Sequence, residues 1–201
     1  MLSSIVLAAG LSSRFGSPKS LASINGKTAL AAVQHTLIAS VVDEIIVVLG
    51  AQVEEVKSHL LKHKKIRFVH NKDYKLGQTS SFQCGLKAMD RSSLGAFLFP
   101  VDCPFVKPAT VDFLADCFEK GGPQIVIPVY QGRKGHPPVF PQSLQQKILA
   151  LPPSCGLNTF IHENIPSPRF VEVRDAGVIQ TFNTPEELEQ IQREHDLSGE
   201  I

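Results

Sequence analysis

Three side chains stand out because their types and positions suit the handling of a polyphosphate. Arg14 and Lys19 sit in the loop Gly10-Leu11-Ser12-Ser13-Arg14-Phe15-Gly16-Ser17-Pro18-Lys19, which directly follows the apolar run Ile5-Val6-Leu7-Ala8-Ala9. Small residues let backbone N–H groups come close to phosphate oxygens, and two cations neutralise their charge. Neither common phosphate loop is present. Walker A places Lys directly after its second glycine, whereas Lys19 follows Gly16 by three positions, and no G-x-G-x-x-G occurs here. The third residue is Asp102, in Phe99-Pro100-Val101-Asp102-Cys103-Pro104. A carboxylate at the end of a buried strand can hold Mg²⁺, which takes one or two protein oxygens and completes its octahedron with phosphate and water. The alternative for Asp102 is a turn or helix-cap role.

Positioning these groups falls to alternating apolar runs and helical patterns. Strands are expected at Ser4–Ala8, Glu44–Leu49, Ile66–His70, Ala96–Val101 and Gln124–Pro128. Helices are expected over residues 28–40, 53–61, 80–89 and 109–120. The runs are continuously apolar, so both faces of the sheet must be covered: an α/β fold with a mostly parallel central sheet. Ligands of such sheets bind beyond the carboxyl ends of the strands. The Gly10–Lys19 loop and the Asp102 turn both leave such ends and are therefore expected at one crevice. Residues 129–140 are rich in Gly and Pro and read as an irregular hairpin. Thr184-Pro185-Glu186-Glu187 opens a last helix with a capping Thr, Pro at N1 and acids in the first turn.

Length and composition agree with one domain. The 201 residues are 43% hydrophobic and 19% charged, with a formal net charge of +1, which gives no long-range attraction to nucleic acid or an acidic membrane. The basic run Lys62-His63-Lys64-Lys65 reads as a solvated helix end. Cys84, Cys103, Cys117 and Cys155 are scattered, without a C-x-x-C pair, and suggest reduced thiols. Cys103, beside Asp102, reads as a small buried thiol. With no signal-peptide pattern and no apolar run near the ~18 residues of a membrane span, a cytoplasmic protein is expected.

Four segments in order resemble the molybdenum-cofactor nucleotidyltransferases, and among them the cytidylyl-transferring members. They are Leu7-Ala8-Ala9-Gly10-Leu11-Ser12-Ser13-Arg14-Phe15-Gly16…Lys19, Gly77-Gln78-Thr79-Ser80-Ser81-Phe82…Gly85-Leu86, Val101-Asp102-Cys103-Pro104 and Gly135-His136-Pro137-Pro138-Val139-Phe140. The resemblance spans about residues 2–188. It implies a single three-layer Rossmann-like domain of the nucleotide-diphospho-sugar transferase type over residues 1–201, with a nucleotide-binding half at 1–128 and an acceptor-side half at 129–201. It also implies Mg²⁺-dependent transfer of CMP from CTP to the phosphate of molybdopterin, releasing pyrophosphate. In that scheme Arg14 and Lys19 grip the triphosphate and Asp102 binds Mg²⁺. Ala8, Ala9 and Gly10 lie against the base, Ser12 belongs to the same nucleotide-binding loop, and Gly77 and Ser81 meet cytosine. Relatives that use GTP tend to read Ala-Gly-Gly where this chain has Ala8-Ala9-Gly10. A molybdenum hydroxylase is the client the resemblance suggests.

Two departures keep alternatives open. Thr181-Phe182-Asn183-Thr184-Pro185 aligns with a segment that usually reads Asp-x-Asp-Thr-Pro. Asn183 is either a second metal ligand or a support for the turn. The family's Gly-Asp-x-Gly-Ala-Arg-like segment falls where this chain reads Ser154-Cys155-Gly156-Leu157-Asn158-Thr159, without the acid and the Arg. GTP or another NTP, a sugar phosphate acceptor, and a non-catalytic nucleotide-binding protein remain as alternatives. His136 either orients the acceptor phosphate or is a hydrogen-bonded hairpin residue. Arg133 and Lys134 read as exposed hairpin cations. The absence of a general base is consistent with the chemistry, because a phosphate dianion is already a nucleophile.

Overall fold

The computed structural model describes residues 1–164 and 168–198; the expected single domain over 1–201 also takes in 165–167 and 199–201, which lie outside the described residues. In chain order the elements are β1 (Ser3–Ala8), β2 (Ser23–Ile24), β3 (Lys27–Thr28), α1 (Ala29–Ile38), β4 (Glu44–Leu49), α2 (Val53–Ser58), β5 (Ile66–His70), α3 (Gln78–Ala88) and β6 (Gly95–Pro100). They continue with α4 (Pro108–Gly121), β7 (Val126–Tyr130), β8 (Arg133–Lys134), β9 (Val139–Pro141), α5 (Gln145–Leu149), α6 (Leu157–Asn164), β10 (Arg169–Glu172) and α7 (Pro185–Ser198).

The main sheet runs β10-β7-β9-β6-β1-β4-β5, with β8 paired to β7. Pairings of β1 with β4 and β6, of β4 with β5 and of β10 with β7 are parallel; those made by β8 and β9 are antiparallel. Side chains alternate across the strands, yet both faces are apolar. Val6, Val47 and Phe97 join Leu30 and Leu37 of α1 and Leu114 of α4 on one face. Ile5, Ile46 and Leu98 join Phe82 and Leu86 of α3, Ile148 of α5 and Phe160 of α6 on the other. This is the three-layer arrangement that unbroken apolar runs require.

Local chemistry explains the helix ends. Thr28 caps α1, its hydroxyl accepting from the Ala31 N–H at 3.1 Å. The last helix begins as expected, with Thr184 Oγ1 accepting from Glu187 N–H and the Glu187 carboxylate accepting from Asn183 N–H. At Gly85 of α3 the helix meets the sheet with no room for a methyl: a Cβ there would lie 2.3 Å from Ile5 Cγ2.

The segment 129–140 departs from a simple hairpin. Gln131 and Gly132, both with positive φ, turn β7 into the short β8. The chain then re-enters the sheet as β9, wedged antiparallel between β6 and β7. The start of β9 lies beside the end of β6, where Leu98 N–H donates to Pro138 O at 2.9 Å. His136 is thereby brought to the same end of the sheet as Asp102.

Candidate active site

From β1 the chain moves outward through β4 to β5, then returns to the opposite side of β1 as β6. The loops leaving β1 and β6 therefore diverge, and the crevice above their carboxyl ends is where open α/β sheets receive ligands. Here it is a cleft of about 550 Å³. Every site residue expected from the sequence lines it: Ala8, Ala9, Gly10, Ser12, Arg14, Lys19, Gly77, Ser81, Asp102, His136 and Asn183.

The loop after β1 holds itself in shape. Ser12 adopts a left-handed conformation (φ 52°), its carbonyl accepts from Phe15 N–H at 2.9 Å, and its hydroxyl accepts from Lys19 N–H at 3.0 Å. The Ser12 side chain thus fixes where Lys19 starts as well as lining the cleft. Behind the loop, the Asn25-Gly26 turn joins β2 to β3, with positive φ at both positions (47° and 78°). Ala22, Ile24 and Ala29 pack there with Phe182 and Leu188, and the Phe15 ring meets Phe182 in a tilted contact, 5.5 Å between centroids. This small second core docks α7 against the phosphate-type loop and carries Asn183 to the cleft.

The charged groups converge at that point. Lys19 Nζ lies 2.9 Å from Asp102 Oδ2 and 3.0 Å from Asn183 Oδ1, while Arg14 donates to the same Asn183 oxygen at 3.1 Å. Lys19 and Asp102 are partly buried, with side chains 16% and 25% exposed. The two oxygens already share one cation, and a carboxylate with a carbonyl suits a hard divalent ion. Among the described residues there is no group of three or more His, Cys, Asp or Glu that could hold a metal. An ion at Asp102 and Asn183 would therefore draw its other ligands from phosphate and water.

The opposite wall is built by Ala9 and the β5–α3 segment. Ala9 packs against Gly50, where a Cβ would fall 2.5 Å from Ala9 O and 2.7 Å from Tyr74 Cβ, so this wall has no room to retreat. A Cβ at Gly10, by contrast, would meet nothing within 4 Å, and Gly10 has no positive φ. The fold itself places no demand for glycine there; the open space is on the cleft side.

Residues 4–167, which include all the cleft-lining residues except Thr181 and Asn183, match the MobA-like NTP transferase domain. The chain belongs to that family. Curated relatives of this MobA-like nucleotidyltransferase include a probable molybdenum cofactor guanylyltransferase of Natranaerobius thermophilus, 25% identical over 96% of this chain and 95% of the relative. The molybdenum cofactor cytidylyltransferase of Escherichia coli K12 is also 25% identical, over 92% of each chain. A solved nucleotidyl transferase from Methanothermobacter shares the fold, with a TM-score of 0.81 at 24% identity over 98% of this chain and 99% of that one.

Two groups beside the acid of this MobA-like site are shifted by burial. His136 is half-buried, its Nδ1 is buried without a hydrogen-bond partner among the described residues, and its backbone N–H donates to Val178 O at 2.7 Å. Burial pushes its imidazole below the ordinary 6.5, against the opposing pull of the Asp102 carboxylate. Cys103 is fully buried, and burial together with the Asp102 charge raises its thiol well above the usual range, as expected for an inert packing residue.

Tyr74, Lys75 and Gln78 also line the cleft, and Asn71 stands just behind it, bonded to Ser80 and Ser81. Sequence reasoning passed over all four. For Asn71 a signal existed: a short polar side chain directly after a parallel strand, at the end of the sheet where ligands bind.

Proposed function

We propose that this MobA-like nucleotidyltransferase transfers CMP from CTP to the phosphate of molybdopterin, releasing pyrophosphate, with Mg²⁺ as the metal. The observation that carries the reading is the shared contact of Lys19 and Arg14 with Asn183, with Asp102 on the far side of Lys19, at the mouth of a cleft lined by the Ala8–Arg14 backbone.

An acceptor phosphate oxygen would form a bond to the α-phosphorus as the bond from that phosphorus to the bridging oxygen of pyrophosphate breaks. Negative charge accumulates on the departing group, and positioned cations are the main catalytic device for such transfers. Arg14 and Lys19 reach from the loop into that region and would hold the β- and γ-phosphates. Gly10, with clear space where its side chain would be, lets the backbone approach the nucleotide. Asp102 and Asn183 would hold Mg²⁺, which supplies further neutralisation of phosphate charge when bound. His136, kept neutral by burial, lies at the end of the cleft where β9 begins and would orient the acceptor phosphate as an uncharged hydrogen-bonding partner.

Cytosine is favoured by Ala9, which lines the cleft where relatives that use GTP tend to carry a glycine. The guanylyltransferase relative at equal identity makes GTP the second reading. Purified protein offered CTP, GTP, ATP and UTP with Mg²⁺ and molybdopterin separates them. The proposal expects pyrophosphate release with CTP at least about tenfold above any other nucleotide. Release with GTP alone would replace it with guanylyl transfer, and tight CTP binding without release would leave a binding protein.

A further inference from the structure

The Asn71 side chain is 5% exposed, and its backbone N–H donates to Leu49 O at 2.8 Å, which fixes it at the end of β5. Its Oδ1 accepts from Asp73 N–H at 3.0 Å. Because a backbone N–H can only donate, the amide orientation is determined: oxygen toward Asp73, NH₂ toward α3. The two Nδ2 protons then go one each to Ser80 Oγ at 3.0 Å and Ser81 Oγ at 3.1 Å.

Those two hydroxyls have different fates. Ser80 passes its proton to Gly77 O at 2.8 Å, with Asp73 O at 3.0 Å as a second acceptor, so its bonding is complete within the protein. Ser81 receives the Asn71 proton and has no acceptor of its own among the described residues. A helical serine that does not point to solvent can turn its proton back to the carbonyl four residues earlier. For Ser81 that carbonyl is Gly77 O, already engaged by Ser80. Ser81 lines the cleft, so its free proton is available there.

We propose that Asn71 is a positioning residue for nucleotide selection: by donating to the Ser81 oxygen it keeps the Ser81 proton from turning inward and leaves that O–H to donate into the base pocket. A donor aimed at the N3 edge separates the two pyrimidines. Cytosine N3 accepts, whereas uracil carries a proton on N3; O2 accepts in both bases and does not distinguish them. The inference rests on the cytidylyl-transfer reading and goes further by naming the residue that sets cytosine against uracil.

Asn71→Asp is the direct test, because it keeps the shape and removes the donor. The Asp carboxylate draws the Ser81 proton inward and leaves an acceptor facing the pocket. Dissociation constants of CTP and UTP, each with Mg²⁺, are measured by calorimetry for wild type, Asn71→Asp, Ser81→Ala and the double variant, with melting curves alongside. The expected result is a fall of about tenfold or more in the CTP preference over UTP in Asn71→Asp. In the Ser81→Ala background the same change moves that preference by less than about twofold, since the group it acts through is gone. If Asn71→Asp does not fold, Asn71→Ala carries the test with a smaller fall in the same ratio. An unchanged ratio, or an equal fall in the Ser81→Ala background, overturns the role of Asn71 alone. Wild-type protein that binds neither pyrimidine nucleotide overturns the cytidylyl-transfer reading and this proposal together.

Discussion

In the proposed scheme Lys19 would have two incompatible duties, and Lys19→Met would separate them. In the free protein its ammonium sits 2.9 Å from Asp102 and 3.0 Å from Asn183, on the two oxygens that would hold the metal. At 2.9 Å and an effective dielectric near 20, the attraction to Asp102 is about 6 kcal/mol before desolvation and side-chain ordering are subtracted. If a quarter to a half of that survives, a divalent ion entering the free protein must overcome about 1.4–3 kcal/mol, or about 10- to 100-fold in affinity. A bound triphosphate would give the ammonium another partner and remove the obstacle. Methionine keeps the length and apolar contacts of Lys19 without its charge. Lys19→Met is therefore expected to bind Mn²⁺, without nucleotide, about 10- to 100-fold more tightly than wild type when free Mn²⁺ is followed by electron paramagnetic resonance. The same variant should lose about 10²–10³ in kcat, the usual effect of removing one charge-stabilising group. Opposite signs for metal affinity and turnover are the signature. Unchanged or weaker Mn²⁺ binding in Lys19→Met would refute the argument that the ammonium occupies the metal position.

Two further outcomes follow from packing and protonation. Gly85→Ala would force a methyl against Ile5 Cγ2, on a β-branched side chain that is fully buried, so urea unfolding should show a loss of about 1–3 kcal/mol despite the better helix propensity of alanine. His136 has its folded pKa held below 6.5, so the unfolded chain binds that proton more readily; its contribution to stability is complete above pH 6.5 and is lost as the pH falls toward the folded pKa. Urea midpoints for wild type and His136→Gln should therefore converge, or cross in favour of the variant, on going from pH 7.5 to 5.5, and a difference independent of pH would contradict a buried neutral imidazole.

The fold over residues 1–128 was legible because its central strands are continuous apolar runs with polar or glycine boundaries, whereas the edge strand Ile66–His70 is interrupted by Arg67. Glu44–Leu49 and Ile66–His70 are found with the expected limits. Where expectation and structure part, a tertiary partner has intervened. The helix expected over 53–61 ends at Ser58, and the Leu61 N–H instead finds the buried Gln34 side-chain oxygen at 3.2 Å. The strand expected at Gln124–Pro128 begins two residues later, because Gln124 N–H is taken by a turn to Gly122 O. β9 was unreadable as a sheet member, since a three-residue strand preceded by Pro137 and Pro138 and ending on Pro141 carries turn chemistry locally and owes its place to the space between β6 and β7. The β2–β3 hairpin left only its Asn25-Gly26 turn as a trace, because two-residue strands show no alternation. In the site, charged residues betrayed themselves by type and motif. Asn71 acts through hydrogen bonds to serines nine and ten positions away, and such coupling shows only once α3 is folded beside β5.

Following the two ends of the nucleotide separately tests the central claim most directly. CTP labelled at the α-phosphorus and, in a parallel reaction, at the γ-phosphorus is incubated with Mg²⁺, molybdopterin and the protein. The α label should move into the molybdopterin product and the γ label into pyrophosphate, with both transfers reduced at least about a hundredfold in Asp102→Ala and Lys19→Ala. An α label that stays in CTP with wild-type protein, or transfer that proceeds undiminished in those two variants, would contradict the account.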